Sequence, residues 1–119
     1  MSQSLCIIST KAPYHGQRAR EALDTALVSS SFDVPTRLLL MGDGVYQLLA
    51  NQSPQMLPRK NLSALLKALP LYGIDTIYVD EASLKERHIS SGQLLPDHTV
   101  LTQKALTDFL SQQIKILSF

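Results

Sequence analysis

The 119-residue chain has one cysteine, little charge of either sign and no long hydrophobic run. A single cysteine, Cys6, excludes an internal disulfide, and a zinc site built from clustered Cys and His ligands is not expected. No stretch approaches the roughly 20 apolar residues that a membrane-spanning helix needs. The first residues also lack the basic start of a signal peptide, so we expect a cytoplasmic protein.

Charged residues make up only 18% of the chain, and the net charge is +1. The basic residues form no run or stripe, so direct nucleic-acid binding is not expected. Apolar residues make up 45%, which is typical of a globular protein, and the length fits a single domain over residues 1–119. A small domain with so few charges is expected to reserve some apolar surface for a partner.

Short apolar runs alternate with amphipathic segments along the chain. Such runs are typical of strands that are buried on both faces of a parallel sheet. The pattern predicts strands at residues 5–9, 37–41, 76–79, 98–101 and 114–117. It predicts helices over residues 19–27, 45–50, 62–69, 80–87 and the stretch after Thr102. The alternation indicates an α/β sandwich with a largely parallel five-stranded sheet and helices on both faces, while the strand order stays open.

Ligand sites in open α/β sheets lie at the carboxyl ends of the strands. The candidate sites are therefore the three loops that follow predicted strands, at residues 10–16, 42–44 and 80–83. In the first, His15 is compatible with a general base or a pocket residue, although an ordinary loop donor is the simpler interpretation. This loop lacks the glycine-rich patterns that bind phosphate. In the second, the glycines suit a sharp turn, and Asp43 is predicted to cap the short helix over residues 45–50.

The segment after Asp43 is unusually apolar for a short helix beside a loop, and it includes Tyr46, Leu48 and Leu49. Two interpretations remain open, namely core packing and an interface patch. In the third loop, Asp80 is predicted to cap a helix and Glu81 to pair with a lysine one turn later. Neighbouring acids on a helix do not face each other, so acid–base catalysis by this pair is not favoured.

Cys6 lies inside an apolar strand. A working thiol needs exposure and an electropositive setting, whereas a free cysteine among apolar residues usually behaves as a small buried hydrophobe. We therefore predict that Cys6 is buried and not catalytic. The residues alone predict a subunit of a larger assembly with no catalytic residue, cofactor or metal.

Four short segments carry a family resemblance, in order along nearly the whole chain. They are ISTKAPYHG (residues 8–16), REALD (20–24), GDGVYQLL (42–49) and ASLKER (82–87). The segment LYGI (71–74) and the last residue, Phe119, also fit. Together they resemble the TusC/DsrF family of DsrE-like sulfur-relay proteins. The candidates for a pocket or an interface are His15, Asp43, Tyr46, Leu48, Leu49 and Phe119.

This resemblance implies a DsrE-like fold, which is a three-layer α/β/α sandwich, and a cytoplasmic complex. That complex would contain two copies each of TusB-like, TusC-like and TusD-like subunits. It would accept sulfur from a TusA-like carrier and pass it through a TusE-like carrier towards 2-thiolation of the tRNA wobble uridine. The related Dsr complex serves dissimilatory sulfur oxidation instead.

Sulfur relay proceeds by attack of a thiolate on a persulfide, so it needs an accessible cysteine of low pKa. In the TusD-like subunit, that cysteine follows the third strand at the start of the next helix. Here Asp80 and Glu81 occupy this stretch and no cysteine is present, so the resemblance implies a non-catalytic subunit. Three alternatives stay open: a DsrF-like subunit, a sulfurtransferase that uses Cys6, and a stand-alone small-molecule-binding module.

Overall fold

The computed structural model describes residues 4–12, 17–49, 66–94 and 98–119. Its strands are β1 (Ser4–Ser9), β2 (Thr36–Leu40), β3 (Ile77–Asp80), β4 (His98–Leu101) and β5 (Gln113–Ser118). They form one sheet in the order β4-β3-β2-β1-β5, and every neighbouring pair is parallel. The predicted five-stranded, mainly parallel sheet is confirmed, and each predicted strand end lies within about one residue of the observed one.

Three helices of the described residues cover the sheet: α1 (Arg18–Ser31), α2 (Glu81–Glu86) and α3 (Gln103–Ser111). The predicted small-residue face of α1 is confirmed, because Ala19, Ala22 and Ala26 are buried against the sheet. The predicted cap of α3 is also confirmed, since the Thr102 side chain accepts a hydrogen bond from the Ala105 N–H. Shorter 3-10 turns cover Gly42–Leu48, Leu69–Tyr72 and Ser91–Gln93.

The helix predicted over residues 62–69 falls largely outside the described residues. Residues 66–68 are helical, and the chain then tightens into the 3-10 turn Leu69–Tyr72, which contains Pro70. Gly73 follows in the left-handed conformation, with φ of 88°. Proline and glycine therefore end this helical segment as the sequence predicts.

Two separate apolar clusters lie on the two faces of the sheet. The larger cluster contains Ile7 and Leu38 and packs beneath α1, α2 and the Gly42–Leu48 turn. The smaller cluster contains Cys6 and Leu39 and packs beneath α3. Because side chains alternate between the faces of a strand, neighbours such as Cys6 and Ile7 enter different clusters. Helices thus cover both faces, as expected for an α/β/α sandwich.

The α3 face is covered less completely than the opposite face. Of the described helices only α3, which has nine residues, lies on it, and no residue of α3 is fully buried. The apolar side chains of α3 that face the sheet are all half-buried; they are Ala105, Leu106, Phe109 and Leu110.

The carboxyl ends of all five strands meet at one edge of the sheet because the strands are parallel. This edge, here called the carboxyl edge, carries the segments that follow β1 to β4 and the end of the chain after β5. Within the described ranges, no helix is long and apolar enough to span a membrane.

Candidate functional site

Asp80 lies at the carboxyl edge, where β3 passes into α2. Its Oδ2 accepts hydrogen bonds from the Ser83 N–H at 3.2 Å and the Ser83 hydroxyl at 2.6 Å. The residue is only 7% exposed. The predicted capping role of Asp80 is confirmed, and a carboxylate held in this way supports α2.

Ser83 joins α2 to the neighbouring loop. Its Oγ donates to Asp80 and also accepts a hydrogen bond from the Gly42 N–H at 2.8 Å. The predicted pair between Glu81 and Lys85 is present at 3.6 Å on the surface, where it adds little to stability.

Asp43 does not cap a helix, so that prediction is wrong. The 3-10 turn begins at Gly42 after Met41, and no side chain caps it. The Asp43 Oδ1 instead accepts hydrogen bonds from Arg87, from Nε at 3.0 Å and from Nη2 at 2.9 Å. Asp43 lies inside the turn, one residue after its start, and so does not occupy the N-cap position, which is Met41.

Arg87 follows α2 and bonds both to the turn after β2 and to residues of α2 itself. Besides Asp43, its Nη1 donates to the Ser83 carbonyl at 3.1 Å and to Glu86 at 3.4 Å. The hydrogen bond with Asp43 raises the pKa of Arg87 above its ordinary value. Arg87 therefore remains a permanent cation that ties the end of α2 to the turn after β2.

Gly44 allows the turn after β2 to lie directly against the end of β1. A Cβ at this position would lie 2.0 Å from the Ser9 carbonyl oxygen, which is far inside van der Waals contact. Only glycine permits this approach. Gly42 has a φ of 55°, in the left-handed region that also favours glycine. The segment that carries Asp43 is thus fixed in place by backbone contact.

Gln47 holds the same turn to the loop after β1. Its Nε2 donates to the Ser9 hydroxyl at 2.8 Å and to the Lys11 carbonyl at 3.0 Å. Both Gln47 and Ser9 are buried. Together with Arg87, these bonds make the carboxyl edge a single hydrogen-bonded unit.

The apolar segment after Asp43 divides between core and surface. Leu48 is buried in the larger cluster, beside Val45. Tyr46 and Leu49 are half-buried, and Leu49 forms an isolated antiparallel bridge with Leu94. The interface interpretation therefore applies best to Tyr46 and Leu49, where it stays a prediction.

Phe119 lies at the carboxyl edge beside β1. Its N–H donates to the Ile8 carbonyl at 2.8 Å. Its carbonyl oxygen accepts from the Thr10 N–H at 3.0 Å and from the Thr10 hydroxyl at 2.6 Å. The ring packs, partly buried, against the larger cluster. These contacts anchor the end of the chain, and whether Phe119 also contacts a partner stays a prediction.

His15 lies outside the described residues. Across the described ranges, no group of three or more His, Cys, Asp or Glu side chains is placed to hold a metal ion.

Cys6 lies in the middle of β1, away from the carboxyl edge. Its exposed fraction is 0%, as predicted, and burial raises the pKa of its thiol from 9.0 to about 11. A thiol with a raised pKa is a poor nucleophile at neutral pH. The structure therefore brings Asp43, Asp80, Ser83 and Arg87 together at the carboxyl edge and places the sole thiol elsewhere.

Sequence reasoning did not anticipate the pair between Asp43 and Arg87 or the bond between Gly42 and Ser83. Each joins residues that are more than 40 positions apart. No local pattern signals such contacts, since they depend on the parallel register of β2 and β3.

Comparison with known proteins identifies relatives of the whole chain. Residues 3–119 match the family model described as the DsrE/DsrF-like family. A Pseudomonas aeruginosa protein called Protein TusC homolog is 43% identical over 118 residues, which cover 99% of each chain. The Vibrio parahaemolyticus Protein TusC homolog is 34% identical over the full length of both chains. The crystal structure of the ychN protein from E. coli has a similar fold, with a TM-score of 0.81 at 24% identity over 98% of this chain and 99% of that one.

Proposed function

Because the chain belongs to the DsrE/DsrF-like family, we propose that it is a non-catalytic, TusC-like subunit of a cytoplasmic sulfur-relay complex. In this proposal the complex supports 2-thiolation of the tRNA wobble uridine. TusB-like and TusD-like subunits are its direct partners, with two copies of each subunit. TusA-like and TusE-like carriers deliver and receive the sulfur without requiring a thiol on this chain.

The observation that carries this proposal is the position of the sole thiol. Relay of sulfane sulfur needs an accessible thiolate, ideally one stabilised near a helix N-terminus. At the start of α2, the residues in that place are Asp80 and Glu81, and a carboxylate does not carry sulfane sulfur. Cys6 is buried in β1 with a raised pKa, so it does not substitute for the absent thiol.

The carboxyl edge supports a structural role in such a complex. The bonds from Arg87 to Asp43 and from Ser83 to Gly42 hold two adjacent loops in one arrangement. A pre-organised surface loses little conformational entropy when a partner binds. A rigid edge beside the thiol-bearing subunit is what a scaffold subunit would contribute.

Co-expression with TusB-like and TusD-like subunits from the same source tests the proposal. We expect the three chains to co-purify with equal stoichiometry, and we expect the complex to restore 2-thiouridine in tRNA in a strain that lacks this chain. The matched variant is Cys6→Ser in the assembled complex, which should thiolate tRNA at the wild-type rate. Lost thiolation from a correctly assembled Cys6→Ser complex would contradict the proposed role.

A DsrF-like role in sulfur oxidation makes a different prediction in the same assay. The complex would then assemble, yet tRNA 2-thiouridine would not depend on this chain. Quantifying 2-thiouridine by mass spectrometry of digested tRNA therefore separates the two roles.

A further inference from the structure

Arg37 is a charged residue on β2, the central strand of the sheet, and its side chain lies on the α3 face. In the strand register Arg37 pairs with Cys6 of β1, and Cys6 pairs on its other side with Ile116 of β5. Residues paired in this way share a face of a parallel sheet. A half-buried cation thus lies on the central strand of the face that carries the smaller apolar cluster.

Arg37 has no carboxylate partner among the residues that the structure describes. Its Nη1 donates to the Tyr78 hydroxyl at 3.0 Å, and the guanidinium lies 5.9 Å from the centre of the Tyr78 ring. That ring packs in turn on Phe109 of α3, with 4.5 Å between the ring centres. None of the described carboxylates lies within ion-pair distance of Arg37. Four of the five guanidinium N–H donors therefore have no described protein acceptor.

The surroundings of Arg37 are suited to a second protein surface. Arg37 also lines a depression of about 220 Å³ at the amino-terminal ends of β2 and β3, together with Pro35, Ile74 and Asp75. On the α3 face, Ile116 of β5 pairs with Cys6 and is 43% exposed. Asp75 lines the depression but makes no ion pair with Arg37, so the cation is still available to an incoming group.

We propose that the α3 face around Arg37 is the surface that contacts a neighbouring subunit, and that a carboxylate of that subunit binds the Arg37 guanidinium. This inference rests on the proposed function, which supplies the different subunit. The charge of Arg37 selects an acidic side chain, and the guanidinium can hold it through two parallel hydrogen bonds. Apolar side chains of the same partner cover Ile116.

A different subunit fits this face better than a second copy of the chain. A symmetric contact centred on this position would bring two Arg37 guanidinium groups together. Pairing of two β5 edges is also disfavoured, because β5 carries the exposed Lys115 at its centre and a register irregularity at its start. The contact is therefore made by the side chains of the face rather than by strand addition.

The test measures binding of the purified chain to its TusB-like and TusD-like partners by calorimetry, with Arg37→Glu as the main variant. We expect its affinity for the partner to fall by at least about 30-fold, as for loss of one member of a desolvated charge pair. The matched control is Arg18→Glu on the exposed surface of α1, which should bind within about threefold of wild type. Arg37→Met removes the charge but keeps an unbranched aliphatic side chain beside the smaller apolar cluster, so it should stay folded and still lose affinity.

Each outcome decides between this inference and the proposed function. If the wild-type chain binds neither partner, both fail. If it binds and both Arg37 variants bind equally well while remaining folded, this inference fails and the proposed function stands. If the Arg37 variants instead abolish only self-association of the isolated chain, the assignment to a different subunit is overturned. Recovery of binding to Arg37→Glu by an arginine substituted for one partner carboxylate would support the inference and identify the contact.

Discussion

The burial of Cys6 predicts that its thiol reacts very slowly while the protein is folded. Only the thiolate is nucleophilic, and burial raises the pKa of Cys6 from 9.0 to about 11. At pH 8 this shift alone lowers the thiolate fraction about 100-fold, since each pKa unit is a factor of ten. The side chain is also fully enclosed, so alkylation requires an opening of the sheet or of α3 and is slower still.

Iodoacetamide labelling at pH 8, followed by intact mass, measures this directly. The reference is the same protein in denaturing guanidinium, where Cys6 is free to react. We expect the native rate to be at least about 100-fold below the denatured rate. A native rate within about tenfold of the denatured one would refute the reasoning, because neither burial nor the raised pKa would then be protecting the thiol.

Three further predictions concern stability. The unfolded chain loses the Cys6 proton around pH 9, whereas burial keeps the thiol protonated in the folded state up to about pH 11, so stability falls as the pH rises through this window. Against Cys6→Ala in urea titrations, wild type should lose about 2 kcal/mol more between pH 9 and pH 11. Gly44→Ala places a methyl group 2.0 Å from a backbone oxygen of β1 and should lower the free energy of unfolding by about 3 kcal/mol. The control is Gly92→Ala, where the methyl group meets nothing within 4 Å and the free energy of unfolding should stay within about 0.5 kcal/mol of wild type. Arg87→Ala removes two hydrogen bonds to the exposed Asp43 and one to the Ser83 carbonyl, so the free energy of unfolding from thermal denaturation should fall by about 1 kcal/mol. A decrease below about 0.3 kcal/mol would show that Arg87 does not hold the carboxyl edge together.

Local patterns in the sequence predicted the elements of the fold well. The continuous apolar runs at residues 5–9 and 37–41 correspond to β1 and β2, because such runs suit strands buried on both faces. Asp80 and Thr102 cap the helices that follow them, since a cap depends only on residues three positions away. The burial of Cys6 also follows from its apolar neighbours along β1.

Contacts between distant segments were not predictable in this way. Asp43 was predicted to cap a helix, but it lies inside the turn and binds Arg87, which is 44 residues further along the chain. The order of the strands decides that the two meet, because β2 and β3 are neighbours in the sheet. The position of Arg37 between Cys6 and Tyr78, with no ion-pair partner in the described part of the chain, likewise follows only from the order of the strands.

Transfer of labelled sulfur tests directly whether this chain carries the relayed sulfur on its own thiol. The reconstituted complex would be incubated with a cysteine desulfurase, a TusA-like carrier and ³⁵S-cysteine, and its subunits would be separated without reductant. We expect the label to appear on the TusD-like subunit and not on this chain, in both wild-type and Cys6→Ser complexes. Reductant-sensitive label on this chain that disappears with Cys6→Ser would contradict it.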